Sequence, residues 1–278
     1  MKEVISSRQN PRIREVCGLV EKKNRRETGL FRFDGIKLLR EALCTNVEIQ
    51  AIYVRVPMRD TLEGVLSEAK RMGRIDEETV VFVTDSVFEK LSEEKAPEGV
   101  ITVAKQLQEL HVTAEVGQID RTVDREERIL IAEALRDPGN LGTVMRSCAA
   151  LGIDRLILSD DCADLYHPKT IRSAMGALFR LPTVTVRAEE LPLAIEALKE
   201  TGRRILAAAL REDAEEIGSL TLRKRDCFVI GNEGHGLCER TVEACSGSAI
   251  IPMREGNESL NAAAAAAICI WETVRADD

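Results

Sequence analysis

Three short segments in the second half of the chain hold polar residues in patterns that could do chemistry. The first is Asp137-Pro138-Gly139-Asn140, which opens a helical stretch carrying Arg146. Leu141, Val144, Met145, Cys148 and Leu151 recur at helical spacing and form an apolar stripe. Asn140 is placed to cap this helix. Its other face, Thr143, Arg146, Ser147 and Ala150, is small and polar with one cation, whereas the later helix with Glu190, Glu196, Lys199 and Glu200 shows the usual solvated pattern. A small face around one Arg suits close approach of another group. The second segment is an apolar run ending in Gly231-Asn232-Glu233-Gly234-His235-Gly236. Glycines let backbone amides and carbonyls approach a ligand closely, and ligands of parallel sheets bind beyond strand carboxyl ends. The third is Ile250-Ile251-Pro252-Met253, then a polar loop through Ser259-Leu260-Asn261 into six alanines, residues 262–267. Ser259 and Asn261 stand where that last helix begins, available for capping or for a ligand. Taken singly, each segment also fits ordinary local structure: a solvated face, a tight turn with a capping glutamate, a helix cap over a tight core.

The elements that must position these residues follow from periodicity. Residues 129–135, 154–158, 183–186, 204–209, 227–230 and 249–251 read as strands, and most are apolar throughout rather than alternating. Helices are predicted over 169–179, 191–199 and 260–274 between and after them. Such alternation indicates an α/β fold with a mostly parallel sheet covered by helices on both faces. The first hundred residues read as a smaller α/β unit, with helices over 11–19, 36–43, 62–72 and 87–91 and strands over 49–54, 79–83 and 100–103. Between the two lies a polar stretch whose apolar residues fit neither period. The expected domains are therefore 1–105, a linker over 106–127, and 128–278.

Composition narrows the function classes. At 278 residues and 44% hydrophobic, the chain can bury a sizeable core. It has no apolar run long enough for a membrane helix and no secretory leader, so the cytoplasm is the expected location. Eight cysteines occur with only three histidines and no C-x-x-C pair, so no metal site is expected. The net charge is −8, yet residues 1–40 hold 11 Lys and Arg against five Asp and Glu. A basic end on an acidic body fits a localised contact with a polyanion, as well as a solvated helical face. The glycine segment is not the dinucleotide fingerprint G-x-G-x-x-G, and no G-x-x-x-x-G-K-[ST] phosphate loop exists.

Together, in order, the three segments resemble the SpoU (TrmH-like) family of RNA ribose 2′-O-methyltransferases in the SPOUT superfamily. Asn140 and Arg146 match the first motif, Gly231-Asn232-Glu233-Gly234 the second, and Ile251-Pro252-Met253 with Ser259-Leu260-Asn261 the third. The resemblance spans about residues 129–275. Ser7-Arg8-Gln9-Asn10-Pro11 and residues 29–35 are similar to the family's substrate-binding domain, with Asp34 where Glu is commoner. A further departure is the uniform alanine run 262–267, where valine and serine are often mixed in.

The resemblance implies a deep trefoil knot in the C-terminal domain, S-adenosylmethionine (SAM) bound in it, and a homodimer with the active site near the subunit interface. It implies that Gly231, Ile251, Met253 and Leu260 line the SAM pocket, and Ala209, at its strand end, joins them. It implies Asn140, Arg146, Glu233, Ser259 and Asn261 as the catalytic group, without a metal. An arginine pKa above about 12 makes a general-base role unfavourable, so Arg146 is expected to orient and stabilise charge while the base stays unassigned. Arg8, Arg12, Arg14, Lys22, Lys23, Arg25 and Arg26 are the candidates for gripping RNA phosphates. Ribosomal RNA is the expected substrate, because two-domain members often act there. The alternatives are transfer RNA, a noncatalytic RNA-binding protein that keeps the fold, a nucleotide-dependent oxidoreductase, and a cysteine hydrolase using Cys238 and His235.

Overall fold

The structure is a computed structural model that describes residues 4–107, 110–111, 119, 123–124, 126–232, 234–254 and 259–275. The chain divides into two compact units, residues 1–108 with 166–179, and residues 109–165 with 180–278.

The first unit holds β1 (Val4–Ile5), α1 (Pro11–Gly18), α2 (Lys22–Thr28), β2 (Leu30–Asp34), α3 (Ile36–Leu43), β3 (Ile49–Arg55), α4 (Arg59–Arg71), β4 (Val80–Val83), α5 (Asp85–Leu91) and β5 (Val100–Lys105). Its sheet runs β1-β4-β3-β5-β2, with β5 antiparallel to both neighbours. α1 starts where Asn10 Oδ1 accepts the Arg12 amide at 2.9 Å, with Pro11 preset for the first turn. Its stripe, Ile13 and Val16, packs with Leu19 against Tyr53, Phe88 and Ile101.

α2 has no apolar stripe and is held by a buried cation instead. Arg25 is 2% exposed and donates Nη1 to the carbonyls of Leu19 at 2.8 Å and Val20 at 2.5 Å. This corrects the expectation for Arg25: committed to orphan carbonyls, it has no reach for phosphate. In β2 the two-residue period sends Phe31 and Phe33 to one face and Arg32 to the other. Phe31 packs tilted against Tyr166 with ring centroids 4.7 Å apart, and Phe33 likewise against Phe179 at 5.1 Å. Arg32 Nη1 donates to the Leu91 carbonyl at 2.7 Å, closing the end of α5.

The second unit is built on an eight-stranded sheet. Its strands are β6 (Leu110–His111), β7 (Ile129–Ala132), β8 (Arg155–Ser159), β9 (Thr183–Val186), β10 (Ile205–Ala208), β11 (Glu215–Glu216), β12 (Cys227–Ile230) and β13 (Gly247–Ile250). The order is β11-β13-β10-β12-β7-β8-β9-β6, and every pairing is parallel. β7 and β12, at the centre, are buried at every position. The helices are α6 (Pro138–Leu151), α7 (Pro168–Ala174), α8 (Leu191–Glu200), α9 (Glu239–Ala244) and α10 (Ala262–Arg275), of which α7 belongs to the first unit.

Two local expectations change. The helix predicted over 169–179 stops at Ala174, because Met175 (φ 49°) and Gly176 (φ 88°) are left-handed; a 3-10 turn, Ala177–Phe179, follows. In the polar stretch 106–127, most of which lies outside the described residues, Ile119 and Val123 are buried in the second unit's core four positions apart.

Candidate active site

The carboxyl ends of β10, β12 and β13 open onto a cavity of about 680 Å³. Ala209, Gly231, Ile251, Met253 and Leu260 all line it, so the five positions expected to hold SAM converge on one hollow. Ser259 lines it as well. Glu233 and residues 255–258 lie outside the described residues.

Gly231 is there because nothing larger fits. A Cβ on it would stand 2.5 Å from the Gly236 carbonyl carbon and 2.7 Å from the Leu237 nitrogen, both backbone. The loop doubles back on itself, with Asn232 and Gly236 exchanging backbone hydrogen bonds of 3.0 and 2.9 Å. Asn232 anchors it. Its Oδ1 accepts the amides of Gly234 at 2.8 Å and His235 at 3.2 Å, while Nδ2 donates to the Ala134 carbonyl at 2.8 Å. Ala134 has φ 52°, a left-handed conformation that costs a residue with a side chain about 1–3 kcal/mol. The Ser159 hydroxyl, accepting the Ala134 amide at 2.8 Å, helps hold it there. Glu133, 6% exposed, ties the far end of the loop: Oε2 accepts the Cys238 amide at 2.8 Å and Oε1 the Thr241 hydroxyl at 2.5 Å.

Asn232, quoted within the second motif without a role of its own, and Glu133, which sequence reasoning passed over, hold this loop in place. For Glu133 a signal existed: one acid at the end of the apolar run 129–132, where an unpaired carboxylate is costly. Arg211 and Glu239, paired at 2.8 Å in the cavity lining, gave no such signal because exposed charges are common.

α6 starts three residues earlier than expected. Asp137 is its N-cap, accepting the Asn140 amide at 2.9 Å, with Pro138 in the first turn. Asn140 therefore sits inside the helix with its side chain released from capping. Asn261 does cap α10: its Oδ1 accepts the amides of Ala263 at 3.0 Å and Ala264 at 3.3 Å. That fixes its Nδ2 as a donor, and it donates to Asn140 Oδ1 at 3.0 Å. The buried alanines 262, 263 and 266 let α10 pack closely on α6, so the first and third segments meet at this bond.

Arg146 stands apart. Six residues along α6 it lies about 9 Å further and roughly 120° around from Asn140. It is exposed, and its side chain makes no hydrogen bond or ion pair among the described residues. Asn140, Arg146 and Asn261 do not line the cavity.

The two jobs of Asn261 can be separated. Asn261→Ala loses the cap and lowers stability by about 1 kcal/mol. Asn261→Asp keeps an acceptor for the helix amides and loses the donor to Asn140. Its melting temperature should stay near the parent's while turnover falls; parental turnover in that variant would remove the Asn140 bond from the site.

In the first unit, Arg12 and Arg14 line an open groove of about 1480 Å³ that Asp76, Glu77 and Glu78 also line. Arg8, Arg12, Arg14, Lys22, Lys23 and Arg26 are all exposed.

The profile described as SpoU rRNA Methylase family matches residues 127–271, and one described as MRM3-like substrate binding domain matches residues 10–102. The chain is 28% identical over 270 residues to the 23S rRNA (guanosine(2553)-2′-O)-methyltransferase RlmP of Bacillus subtilis, covering 96% of this chain and 97% of that one. It is 30% identical over 229 residues to the 23S rRNA (guanosine-2′-O-)-methyltransferase RlmB of Bordetella pertussis, covering 82% and 89%. The AdoMet-bound rRNA methyltransferase of Sinorhizobium meliloti superposes with a TM-score of 0.82 at 25% identity over 98% of this chain and 97% of that chain.

Proposed function

The chain belongs to the SpoU rRNA methylase family, and from that premise we propose which residues do what. The activity is SAM-dependent methylation of a ribose 2′-hydroxyl in ribosomal RNA. The observation that carries the site assignment is the convergence of Ala209, Gly231, Ile251, Met253 and Leu260 on a single cavity at the sheet's carboxyl edge.

That cavity suits SAM. Its volume lies in the ordinary range for a bound small molecule. Ile230, Leu237, Val242, Ile251 and Leu260 offer apolar surface for an adenine ring, and the missing side chain of Gly231 leaves backbone exposed for hydrogen bonds. When bound, SAM supplies an electrophilic methyl group on a sulfonium, so the leaving thioether needs no acid. The protein's task is then to align the ribose oxygen and to exclude water, which can contribute much of the acceleration. Asn140, held by Asn261, and Ser259 and Glu233 position the nucleotide. Arg146 neutralises charge on the ribose or its phosphate.

Arg146 reaches a cavity as part of a homodimer. Its exposure without a partner, on a face of small residues, supports this reading, as does Trp271, 54% exposed on α10. The knot belongs to the same reading: β12 lies between β7 and β10, while the chain end returns as α10 to α6. We assign residues 1–105 to RNA binding, with Arg8, Arg12, Arg14, Lys22, Lys23 and Arg26 on phosphates. The enzyme works in the cytoplasm, in keeping with eight free cysteines and, among the described residues, no helix long and apolar enough to cross a membrane.

The test is methyl transfer from labelled SAM to unmodified ribosomal RNA and to transfer RNA in parallel. Label on 2′-oxygens of ribosomal RNA is expected. Label confined to transfer RNA would replace the substrate, and label in neither would overturn the activity.

A further inference from the structure

A second cavity, about 370 Å³, lies beside the glycine loop. Asn232, His235, Gly236 and Leu237 line both cavities, so the loop is a partition with the SAM hollow on one side and this space on the other. Ala134 and Arg136 follow β7 into its wall, Ala188 and Pro192 follow β9, and Arg240 comes from α9. The aligned residues are chemically mixed in a specific way. Ala134, Ala188, Pro192 and Leu237 are apolar and compact. Arg240 is exposed and has no ion pair or hydrogen bond among the described residues, and Glu189 likewise has none. Arg136 has only a long 3.6 Å contact with Asp161. Glu133, also in the lining, is already occupied with Cys238 and Thr241.

Apolar walls accept the flat faces of an aromatic ring. The Arg240 guanidinium, without an ion pair among the described residues, and that of Arg136, weakly paired with Asp161 in the same lining, can donate to phosphate oxygens or ring nitrogens, and the Glu189 carboxylate can accept from an exocyclic amino group. We propose that this cavity receives an unstacked nucleobase of the RNA, with Arg136 and Arg240 on the neighbouring phosphates. The partition loop then has the methyl donor on one face and the base of the presented nucleotide on the other. This rests on the RNA-methylating reading of the larger cavity and adds the subsite that seats the substrate. Sequence-specific readers of RNA commonly take hold of bases splayed out of loops and bulges, between apolar faces and hydrogen-bonding side chains.

Two variants test it. Ala188→Trp fills the space with an indole. Arg240→Glu reverses an exposed charge that has no structural partner, so it leaves folding alone. Each is measured for SAM affinity by calorimetry, for affinity to an unmodified 23S ribosomal RNA transcript, and for kcat and KM on that transcript. Lys224→Glu, an exposed reversal outside both cavities, is the control. Both variants should raise the RNA dissociation constant and KM at least fivefold beyond the control, with SAM affinity within twofold of the parent. RNA affinity and KM equal to the control in both variants would overturn the proposal. A parent protein that takes up no SAM would instead sink the methyltransferase reading, and the RNA affinities would still decide the pocket.

Discussion

On the proposed role of Arg146 in neutralising charge on the ribose or its phosphate, Arg146→Ala should lower kcat by about 10²- to 10³-fold, the usual cost of removing one charge-stabilising donor from an active site, while SAM affinity stays within twofold. The reason lies in its surroundings. The Arg146 side chain is exposed, makes no hydrogen bond or ion pair among the described residues, and does not line the cavity. Removing it leaves the core stripe Leu141, Val144, Met145 and Cys148 intact, so the melting temperature should not move. Arg146→Lys should recover little, because an ammonium cannot reproduce the planar fork of a guanidinium. Single-turnover rates with saturating SAM and RNA measure this directly. A fully active alanine variant would remove Arg146 from the site.

Gly231→Ala should have an effect of similar size by a different route. The added methyl carbon would lie 2.5 Å from one backbone atom of Gly236 and 2.7 Å from another in Leu237. Backbone held by the Asn232–Gly236 bridge cannot step aside as a flexible side chain would. The loop must move, and it forms part of the wall of the 680 Å³ cavity. SAM affinity should weaken at least tenfold, about 1.4 kcal/mol, with added instability of about 1–3 kcal/mol from overpacking. Gly218→Ala is the control, since nothing lies within 4 Å of its Cβ position and its φ is ordinary. Equal SAM affinity in both variants would mean that the loop does not shape the binding hollow.

Much of the second unit was legible because its central strands, β7 and β12, are buried at every position. β12 runs over the residues predicted, since a short apolar run closed by turn residues leaves little choice of boundary, and β9 does so from the alternation Thr183-Val184-Thr185-Val186, in which the valines are the buried members. α3 was equally clear from its amphipathic stripe. α2 was invisible for the opposite reason: its sequence KKNRRET has no stripe, and a single buried guanidinium does the work of a core face. The same burial is why charge counting misassigned Arg25. The cap of α6 was misread although Pro138 marked the first turn and pointed to Asp137.

The break after α7 was hidden because Ile171, Ala174, Ala177 and Leu178 continue an apolar spacing across Met175 and Gly176. Nor could local spacing tell that residues 166–179 pack with the first unit, where Tyr166 and Phe179 meet Phe31 and Phe33. The candidate site was legible as three separate segments. The Asn261–Asn140 bond, the partition loop and the role of Glu133 required the sheet order that puts β12 beside β7.

The central claim is that the hollow walled by Gly231, Ile251 and Leu260 takes up a sulfonium cosubstrate. Titrating the purified full-length protein with SAM in a calorimeter puts it at risk most directly. Saturable binding that is at least tenfold weaker in Gly231→Ala and unchanged within twofold in Arg146→Ala is the predicted result; no heat of binding, with the protein folded by circular dichroism, would contradict it.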